Sequence, residues 1–483
     1  MILCFSLCLC VSALNIRAQE TVPAPGAERS AAIPSVREVK LKNGLTVAVI
    51  EKKGIPLVTV ELLVKNGASA EDPKKAGLAN LTADLLTKGT KTRSATQIAE
   101  DMEFLGASIF SSAGWQSSTL GVSVTSDKFD KAMDIFADVA LNPSFAEDEL
   151  KLAKSQALDE LTYNLTQPGF LGNYVASKFS FGEHPAGGTP NSVEALSRAD
   201  VASFYQQNYR PAESVLIFVG DISTEKAIAT AEKYFGAWKG EGRGFGSTKG
   251  ATSSAGPDKE VVARFLVVDM PKSGQASVSY LKPIRGIGRA SKEFYPASVL
   301  NSVLGGGYSS RLNQEIRIKR GLSYGAGSGF GWRAGKANFS TRTQTKNESA
   351  AQVAELVIAE IKRLADTTAD DVELNPRKSS LTGGFGRTLE TNEGMASALA
   401  ELYTFGIPAS ELNAYMADVN AVKAADVRSF AAADLFGGDM IIVGDYSVFK
   451  DDLAKRFPNA QINVVKADEL DLDSETLRKG DLK

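Results

Sequence analysis

A repeat within the chain constrains its fold more than any other feature of the sequence. Residues 199–204 read ADVASF and come before VLIFVGD at residues 215–221. Residues 425–430 read ADVRSF and come before MIIVGD at residues 440–445, in the same order and at nearly the same spacing. An offset of about 225 residues predicts two related halves rather than an array of many short units.

The Gly- and Ser-rich composition of residues 240–258 is typical of a linker, and this segment lies where the two halves would join. We therefore predict a first domain over residues 36–239 and a second domain over residues 259–470. The polar residues 471–483 are predicted to form a tail.

Each half mixes strand and helix patterns. Apolar or alternating segments at residues 46–50, 58–64 and 116–125 predict strands. The helical periodicity of residues 127–141 and 147–165 predicts two long helices. Strands followed by paired helices predict an α+β fold class, with two homologous α/β sandwich domains that each pack a mixed or antiparallel sheet with helices.

The charged and metal-binding residues exclude several classes of function. The chain has 54 Lys and Arg against 57 Asp and Glu, whereas a nucleic-acid-binding protein would show a basic excess. One His and three Cys exclude a site with two His ligands and leave little for a Cys/His zinc cage. No apolar run reaches the ~20 residues that cross a bilayer, so no stable membrane span is expected.

The first residues have the pattern of a secretory signal peptide. Residues 2–14 form an apolar run that is too short for a spanning helix. We predict cleavage after Ala18, with a signal peptide over residues 1–18 and a flexible leader over residues 19–35. All three Cys lie in the removed segment, so the mature protein would have no thiol chemistry. Export to a bacterial periplasm is expected, and a misassigned start codon is the alternative.

A helix predicted near residues 77–90 carries polar side chains on one face. Asn80 and Asp84 are four residues apart and therefore share that face, with Ala83 beside them. A solvated polar face is the simplest interpretation of Asn80 and Asp84, ahead of metal binding.

The same segment resembles the zinc helix of the M16 (pitrilysin- or insulinase-type) metallopeptidase family. The resemblance rests on a Gly-x-Ala start and a Gly-Thr end within residues 77–90, preceded by Gly-Ala at residues 67–68 and Glu-Asp-Pro at residues 71–73. In that family the helix carries an inverted motif, His-x-x-Glu-His. The two His bind zinc and the Glu acts as general base on the attacking water.

By this resemblance, Asn80, Ala83 and Asp84 occupy the motif positions, and Glu160 matches the family's third ligand. Zinc favours neutral imidazole here, and Ala83 leaves no carboxylate to accept a proton from water. The resemblance therefore implies an inactive zinc motif with no metal in this chain. One alternative is a self-sufficient enzyme with a harder cation at Asn80, Asp84 and Glu160, which the missing base disfavours. The resemblance gives His184, the one histidine, no catalytic role.

The second half holds another distinctive segment. Residues 304–312 read LGGGYSSRL, and residues 317–325 read RIKRGLSYG. Glycines then recur at every second position from Gly325 to Gly331, which places them on one face of a predicted strand and leaves room for another backbone to approach.

This segment resembles the second hallmark of the M16 family, an Arg and a Tyr seven residues apart in the non-catalytic half. In active members the pair binds substrate backbone near the scissile bond and helps to stabilise the oxyanion. Arg317 and Tyr324 match this spacing. We expect them to bind substrate together with Gly305, Gly306 and Gly307. The alternative is a surface ion pair for Arg317 and a core-edge position for Tyr324.

The resemblance implies one half-clamshell of an M16B-type peptidase. Some members of the subgroup are homodimers with both motifs, and others are heterodimers that divide the motifs between two chains. We expect a non-catalytic subunit that contributes Arg317 and Tyr324 to the zinc site of a catalytic M16B partner, with peptides as substrates and no activity alone. The alternative is an inactive peptide-binding or assembly protein, similar to the core subunits of respiratory complexes.

Overall fold

The computed structural model describes residues 33–240, 260–474 and 476–480. The predicted signal peptide, most of the predicted leader and nearly all of the predicted linker lie outside these residues. Within the described ranges, no helix is both long enough and apolar enough to cross a membrane.

The first half folds into strands and helices that include every predicted element. The strands are β1 (Arg37–Lys40), β2 (Thr46–Glu51), β3 (Leu57–Val64), β4 (Ser108–Ala113), β5 (Ser118–Thr125) and β6 (Ser214–Gly220). The helices are α1 (Leu78–Leu86), α2 (Ala95–Phe104), α3 (Phe129–Leu141), α4 (Glu147–Asn164), α5 (Pro168–Phe179), α6 (Pro190–Ala195), α7 (Arg198–Asn208) and α8 (Thr224–Phe235).

The second half repeats this succession. Its strands are β7 (Val262–Asp269), β8 (Ala276–Arg285), β9 (Ala326–Arg333), β10 (Lys336–Thr345), β11 (Gly438–Gly444) and β12 (Ile462–Lys466). Its α-helices are α9 (Phe294–Leu304), α10 (Ala350–Asp366), α11 (Asp371–Thr388), α12 (Asn392–Thr404), α13 (Glu411–Ala421), α14 (Ala424–Asp434) and α15 (Tyr446–Arg456). A π-helix spans Asn313–Ile318.

The two sheets confirm the predicted duplication and the α+β fold class. The first sheet has the strand order β1-β2-β6-β3-β5-β4, and the second has the order β12-β7-β11-β8-β10-β9. Both mix parallel and antiparallel pairs. Helices α4 and α11 start at residues 147 and 371, and strands β6 and β11 start at residues 214 and 438, so both pairs are 224 residues apart. The repeat therefore extends well beyond the motif that reveals it.

The two halves differ at one edge of each sheet. In the first sheet, β1 comes directly before β2 in the chain and pairs with it antiparallel. In the second sheet, the corresponding edge is β12, which comes last in the chain and pairs parallel with β7. The edge strand thus comes from the N-terminal end of the first repeat and from the C-terminal end of the second.

Each sheet is covered on one face by a helix of the other half. Helix α12 packs Met395 and Leu399 on apolar side chains of β2, β3 and β6. Helix α5 packs Leu171 and Val175 on apolar side chains of β7, β8 and β11. The opposite face of each sheet carries helices of its own half. The hydrophobic cores of the two halves therefore depend on one another.

The described part of the predicted tail contacts the first half. Leu477 is buried in the cluster that contains Leu171 of α5. Asp473 accepts hydrogen bonds from the hydroxyl of Thr189 at 2.7 Å and the amide of Asn191 at 2.8 Å. Polar side chains of this segment thus join it to the first half.

Candidate functional site

Helix α1, on which the sequence predicts the degenerate motif positions, is held at its N-terminus by Glu71. The Glu71 carboxylate accepts backbone hydrogen bonds from Gly77 at 3.0 Å and Ala79 at 2.7 Å. A buried carboxylate here satisfies free N–H groups and complements the helix dipole. Gly77 has a φ of +93°, a conformation that favours glycine and turns the chain into the helix.

The one histidine belongs to this support. His184 Nε2 lies 2.9 Å from Glu71 Oε1, and the His184 ring packs against Trp115 with ring centroids 4.9 Å apart. The loop that follows His184 contacts the start of α1, because a Cβ on Gly188 would lie 2.5 Å from the carbonyl oxygen of Ala76. His184 is therefore engaged in holding the helix.

The structure brings the predicted degenerate positions together on α1 and α4. Ala83 is fully buried, Asn80 is half-buried, and Asp84 is exposed. Although the residue as a whole is exposed, partial desolvation of its carboxyl group raises the pKa of Asp84. Lys88 opposes this shift, and the negative charge of Glu160 on α4 adds to it. Glu160 also accepts a 3.4 Å hydrogen bond from Asn164.

These side chains do not fit a zinc ion. The donor set is one amide oxygen and two carboxylates, without the imidazole or thiolate ligands that zinc prefers. Over the described ranges, no three His, Cys, Asp or Glu side chains gather closely enough to hold a metal. Asn80 Oδ1 is buried and has no hydrogen-bond partner among the described residues, but a single weak donor does not replace two histidines.

Arg317 lies on the π-helix of the second half. Its guanidinium stands over the ring of Tyr308, 4.9 Å from the ring centroid. The nearby Glu315 is paired with Lys319 and Arg320 instead. Arg317 is half-buried and forms no ion pair in the described part of the chain. The surface ion pair considered above is therefore absent there, and the N–H groups of Arg317 remain available.

Tyr324 lies in the turn before β9 and is 91% exposed. Its hydroxyl forms no hydrogen bond with any described residue. It lines the mouth of a cavity of about 360 Å³ between α5 and the strands β8 and β10. This position differs from the core-edge alternative, because the ring and the hydroxyl both face solvent.

Asn313, which sequence analysis missed, holds the two substrate-binding candidates in place. Its side chain is buried, donates a hydrogen bond to the carbonyl of Tyr308 and accepts one from the backbone N–H of Ala326 at 3.3 Å. It thereby joins the π-helix of Arg317 to the loop before it and to the strand after Tyr324. The sequence holds no signal for this role, because both partners are backbone groups.

The three predicted substrate-binding glycines are not equivalent. A Cβ on Gly305 would lie 2.2 Å from the backbone nitrogen of Ser328, and a Cβ on Gly306 would lie 2.8 Å from the Cα of Ser302. Close packing on β9 and α9 therefore requires these two glycines. Gly307 is open, since an added Cβ would meet only the guanidinium of Arg377 at 4.0 Å.

Helix α11 fixes the loop that contains these glycines. Arg311 forms a bidentate pair with Glu373, with distances of 2.7 and 2.6 Å. Arg377, one turn further along α11, donates hydrogen bonds to the hydroxyl and the carbonyl of Ser309. Because two arginine contacts hold one short loop, its backbone is positioned before any ligand arrives.

Two protein-family models match this chain. The model of the Insulinase (Peptidase family M16) domain matches residues 46–175, and the model of the Peptidase M16 inactive domain matches residues 195–381. Together the two models cover well over half of the chain.

Similar curated proteins include two uncharacterized zinc proteases. One, from Mycobacterium leprae, is 28% identical over 319 residues, which are 65% of this chain and 69% of that protein. The other, YmxG of Bacillus subtilis, is 25% identical over 318 residues, which are 64% of this chain and 74% of that protein.

Two solved structures share the fold. A peptidase M16 inactive domain from Pseudomonas fluorescens superposes with a TM-score of 0.75 at 25% identity and covers 85% of this chain and 98% of its own. A protease from Helicobacter pylori superposes with a TM-score of 0.76 at 20% identity and covers 85% of this chain and all of its own. Both agree with the architecture of two sheets and their packed helices.

Proposed function

The chain belongs to the M16 peptidase family, and from that premise we propose that it is the non-catalytic, substrate-binding subunit of a heterodimeric M16B-type zinc metallopeptidase. One observation carries the proposal: the two motif regions of the chain differ in what they keep. Helix α1 keeps its support from Glu71 but has Asn80, Ala83 and Asp84 at the motif positions. The second half keeps Arg317 and Tyr324.

In this proposal the zinc ion, its two His ligands and the general base belong to a catalytic partner subunit. The partner's metal would activate the water that attacks the peptide bond. This chain would bind the substrate backbone through Arg317 and Tyr324, whose N–H and O–H groups can donate to carbonyl oxygens and to a developing oxyanion.

The positions of these two side chains support that role. Arg317 has no carboxylate partner among the described residues, so binding a substrate carbonyl would not require an ion pair to break. Tyr324 is exposed and its hydroxyl is free to donate. The contact with Tyr308 and the two hydrogen bonds of Asn313 hold this region in place without occupying those donors.

The experiment is a peptidase assay of the chain mixed with a catalytic M16B subunit from the same genome. We expect Arg317→Ala to lower kcat/KM by about 10²-fold, the order seen when one oxyanion donor is removed. The matched control is Arg428→Ala, because Arg428 lies exposed on α14. A normal rate with Arg317→Ala would remove this residue from the mechanism.

The isolated chain provides the complementary test. We expect no peptide cleavage that chelators inhibit, because no group at the position of Ala83 can accept a proton from water. Chelator-sensitive cleavage by the pure chain would contradict the proposal. A chain that binds peptides but activates no partner would instead favour an inactive peptide-binding or assembly protein.

We also propose that the protein is exported, on the basis of the apolar run at residues 2–14. The measurement is the mass of the mature N-terminus recovered from the periplasm, which should begin after Ala18. A full-length chain retained in the cytoplasm would contradict export.

A further inference from the structure

The second sheet has a polar, glycine-lined surface on the side that faces α5, which we call the shelf. Along the sheet register, Arg342 is opposite Gly327, Ser340 is opposite Gly329, and Gln344 is opposite Ser277. Directly opposed residues point to the same face of a sheet. The shelf consists of Ser277 and Ser279 on β8, Gly327 and Gly329 on β9, and Ser340, Arg342 and Gln344 on β10.

The glycines leave the space above the shelf open. A Cβ built on Gly329 meets no atom within 4 Å, and one built on Gly327 meets only the carbonyl oxygen of Gly305 at 3.3 Å. Packing within this chain therefore does not explain both glycines. The predicted stripe of alternate glycines instead creates room on the face that carries Arg342.

The charge of the shelf is uncompensated. Arg342 is exposed and forms no ion pair with any described residue. Among the described residues, it is the only charged one that lines the 360 Å³ cavity beside Tyr324, where Ser277, Ser279 and Gln344 supply further polar groups. Two other clefts combine an arginine with carboxylates, one holding Arg289 with Glu401 and Glu411, the other Arg333 with Glu61 and Glu401. The cavity beside Tyr324 thus carries the positive charge that an anionic ligand requires.

One side of the cavity is formed by the first half of the chain. Gly169, Phe170 and Asn173 of α5 line this side. Gly169 lies so close to Gln344 that an added Cβ would be 2.6 Å from its Nε2 atom. An extended peptide that entered over the glycines would meet α5 here, so the cavity suits the end of a chain better than its middle.

From these features we propose that the shelf binds the C-terminal carboxylate of a peptide, with the Arg342 guanidinium as its principal ligand. A guanidinium presents paired N–H donors that match the two oxygens of a carboxylate. The hydroxyls of Ser277 and Ser279 are additional donors, and Tyr324 stands at the mouth of the same cavity. This inference rests on the proposed function and specifies its substrate class: peptides anchored by a free C-terminus.

The test measures binding to the isolated full chain, without a partner or cleavage. Fluorescence anisotropy compares two labelled peptides of identical sequence, one ending in a free carboxylate and the other in an amide. We expect the acid to bind at least about tenfold more tightly, the value of a charge-assisted contact. Arg342→Gln should remove this preference and Arg342→Lys should retain part of it. The control Arg428→Gln should bind as the unmodified chain does.

A second variant tests the position of the binding site rather than its charge. Gly329→Val adds a side chain to open space, so the fold should persist while the shelf is blocked, and binding of the acid should fall to the level of the amide. Equal affinity of the unmodified chain for both peptides, or an acid preference that survives Arg342→Gln, would overturn the proposal.

A third peptide, amidated and carrying an internal Glu, separates the two sources of a carboxylate. If it binds as tightly as the free acid, the shelf recognises acidic side chains and the assignment to a chain end is wrong. If all three peptides bind with the same affinity, the chain still binds peptides as proposed, and only the assignment of the shelf as a carboxylate site is wrong. Binding of none of them contradicts the proposed function itself.

Discussion

Glu61 is a buried carboxyl group that none of the proposed chemistry uses. It lies on β3, is 5% exposed and lines the cleft that also contains Trp115 and Trp332. Burial raises its pKa from the ordinary value of 4.5 to about 7. Since the native chain holds this proton to higher pH than the unfolded chain, folding stability should fall as pH rises from about 4.5 to 7.

We therefore expect Glu61→Gln to stabilise the protein above pH 7 by up to about 3 kcal/mol and to change little below pH 4.5. The measurement is the midpoint of thermal unfolding as a function of pH. The control is Glu103→Gln, because Glu103 is exposed on α2. A shift of equal size at every pH would mean that packing, and not ionisation, sets the effect.

Asn313 gives a prediction that separates positioning from substrate contact. Asn313→Leu removes both side-chain hydrogen bonds, whereas Asn313→Asp keeps the acceptor for Ala326 and loses the donor to Tyr308. We expect kcat/KM of the two-subunit enzyme to fall about tenfold with Asn313→Leu and less with Asn313→Asp. The free energy of unfolding should fall in the same order, by about 1–3 kcal/mol. Assays and thermal unfolding of both variants check this order, and full activity of Asn313→Leu would refute it.

The residues that the sequence proposes for the site and those that only the structure points to differ in where their partners lie. Arg317 and Tyr324 belong to a local pattern that can be read along the chain. Asn313 and Arg342 act through backbone groups or through residues on neighbouring strands, so their roles exist only once the sheet register is known.

At the scale of elements, α1 is held at its start by side chains that lie outside the predicted motif positions. Glu71 binds two backbone N–H groups at its start, and His184 holds Glu71. The sequence predicts the helix itself, because Leu78, Leu81, Leu85 and Leu86 recur at helical spacing. It does not predict the pairing of Glu71 with His184, because these residues are far apart along the chain.

Removing this support should destabilise the helix and the whole protein. We expect Glu71→Ala to lower the free energy of unfolding by about 3 kcal/mol, because two backbone hydrogen bonds to a charged group are lost and His184 is left unpaired. The exposed Glu100→Ala on α2 is the matched control. Chemical denaturation of the unmodified protein and of the two variants measures the difference in the free energy of unfolding. Equal denaturation midpoints for all three would show that water replaces the Glu71 carboxylate.

At the scale of the whole molecule, the two halves share their hydrophobic cores. The repeat in the sequence predicts two related domains and the fold class, and the two sheets confirm both. The repeat does not predict that α5 and α12 cross to the opposite sheet. Both helices are apolar on one side, and the sequence alone leaves open which sheet that side covers.

This arrangement predicts one unfolding transition rather than two. We expect Leu399→Ala on α12 to destabilise the protein by about 2–5 kcal/mol while both sheets still unfold together. Hydrogen exchange of β3 and β8 should therefore accelerate in parallel. The exposed Leu152→Ala on α4 is the control. Loss of protection confined to the first sheet would show that the halves are independent.

The crossing of α5 and α12 also bears on the ancestry of the fold. A forerunner of half this length would have left one face of its sheet bare, since the helix that covers it would have projected away from its own sheet. Two copies that exchanged these helices would have covered both faces of each sheet. A fusion of two such copies would have preserved, within one polypeptide, the interface of a symmetric dimer.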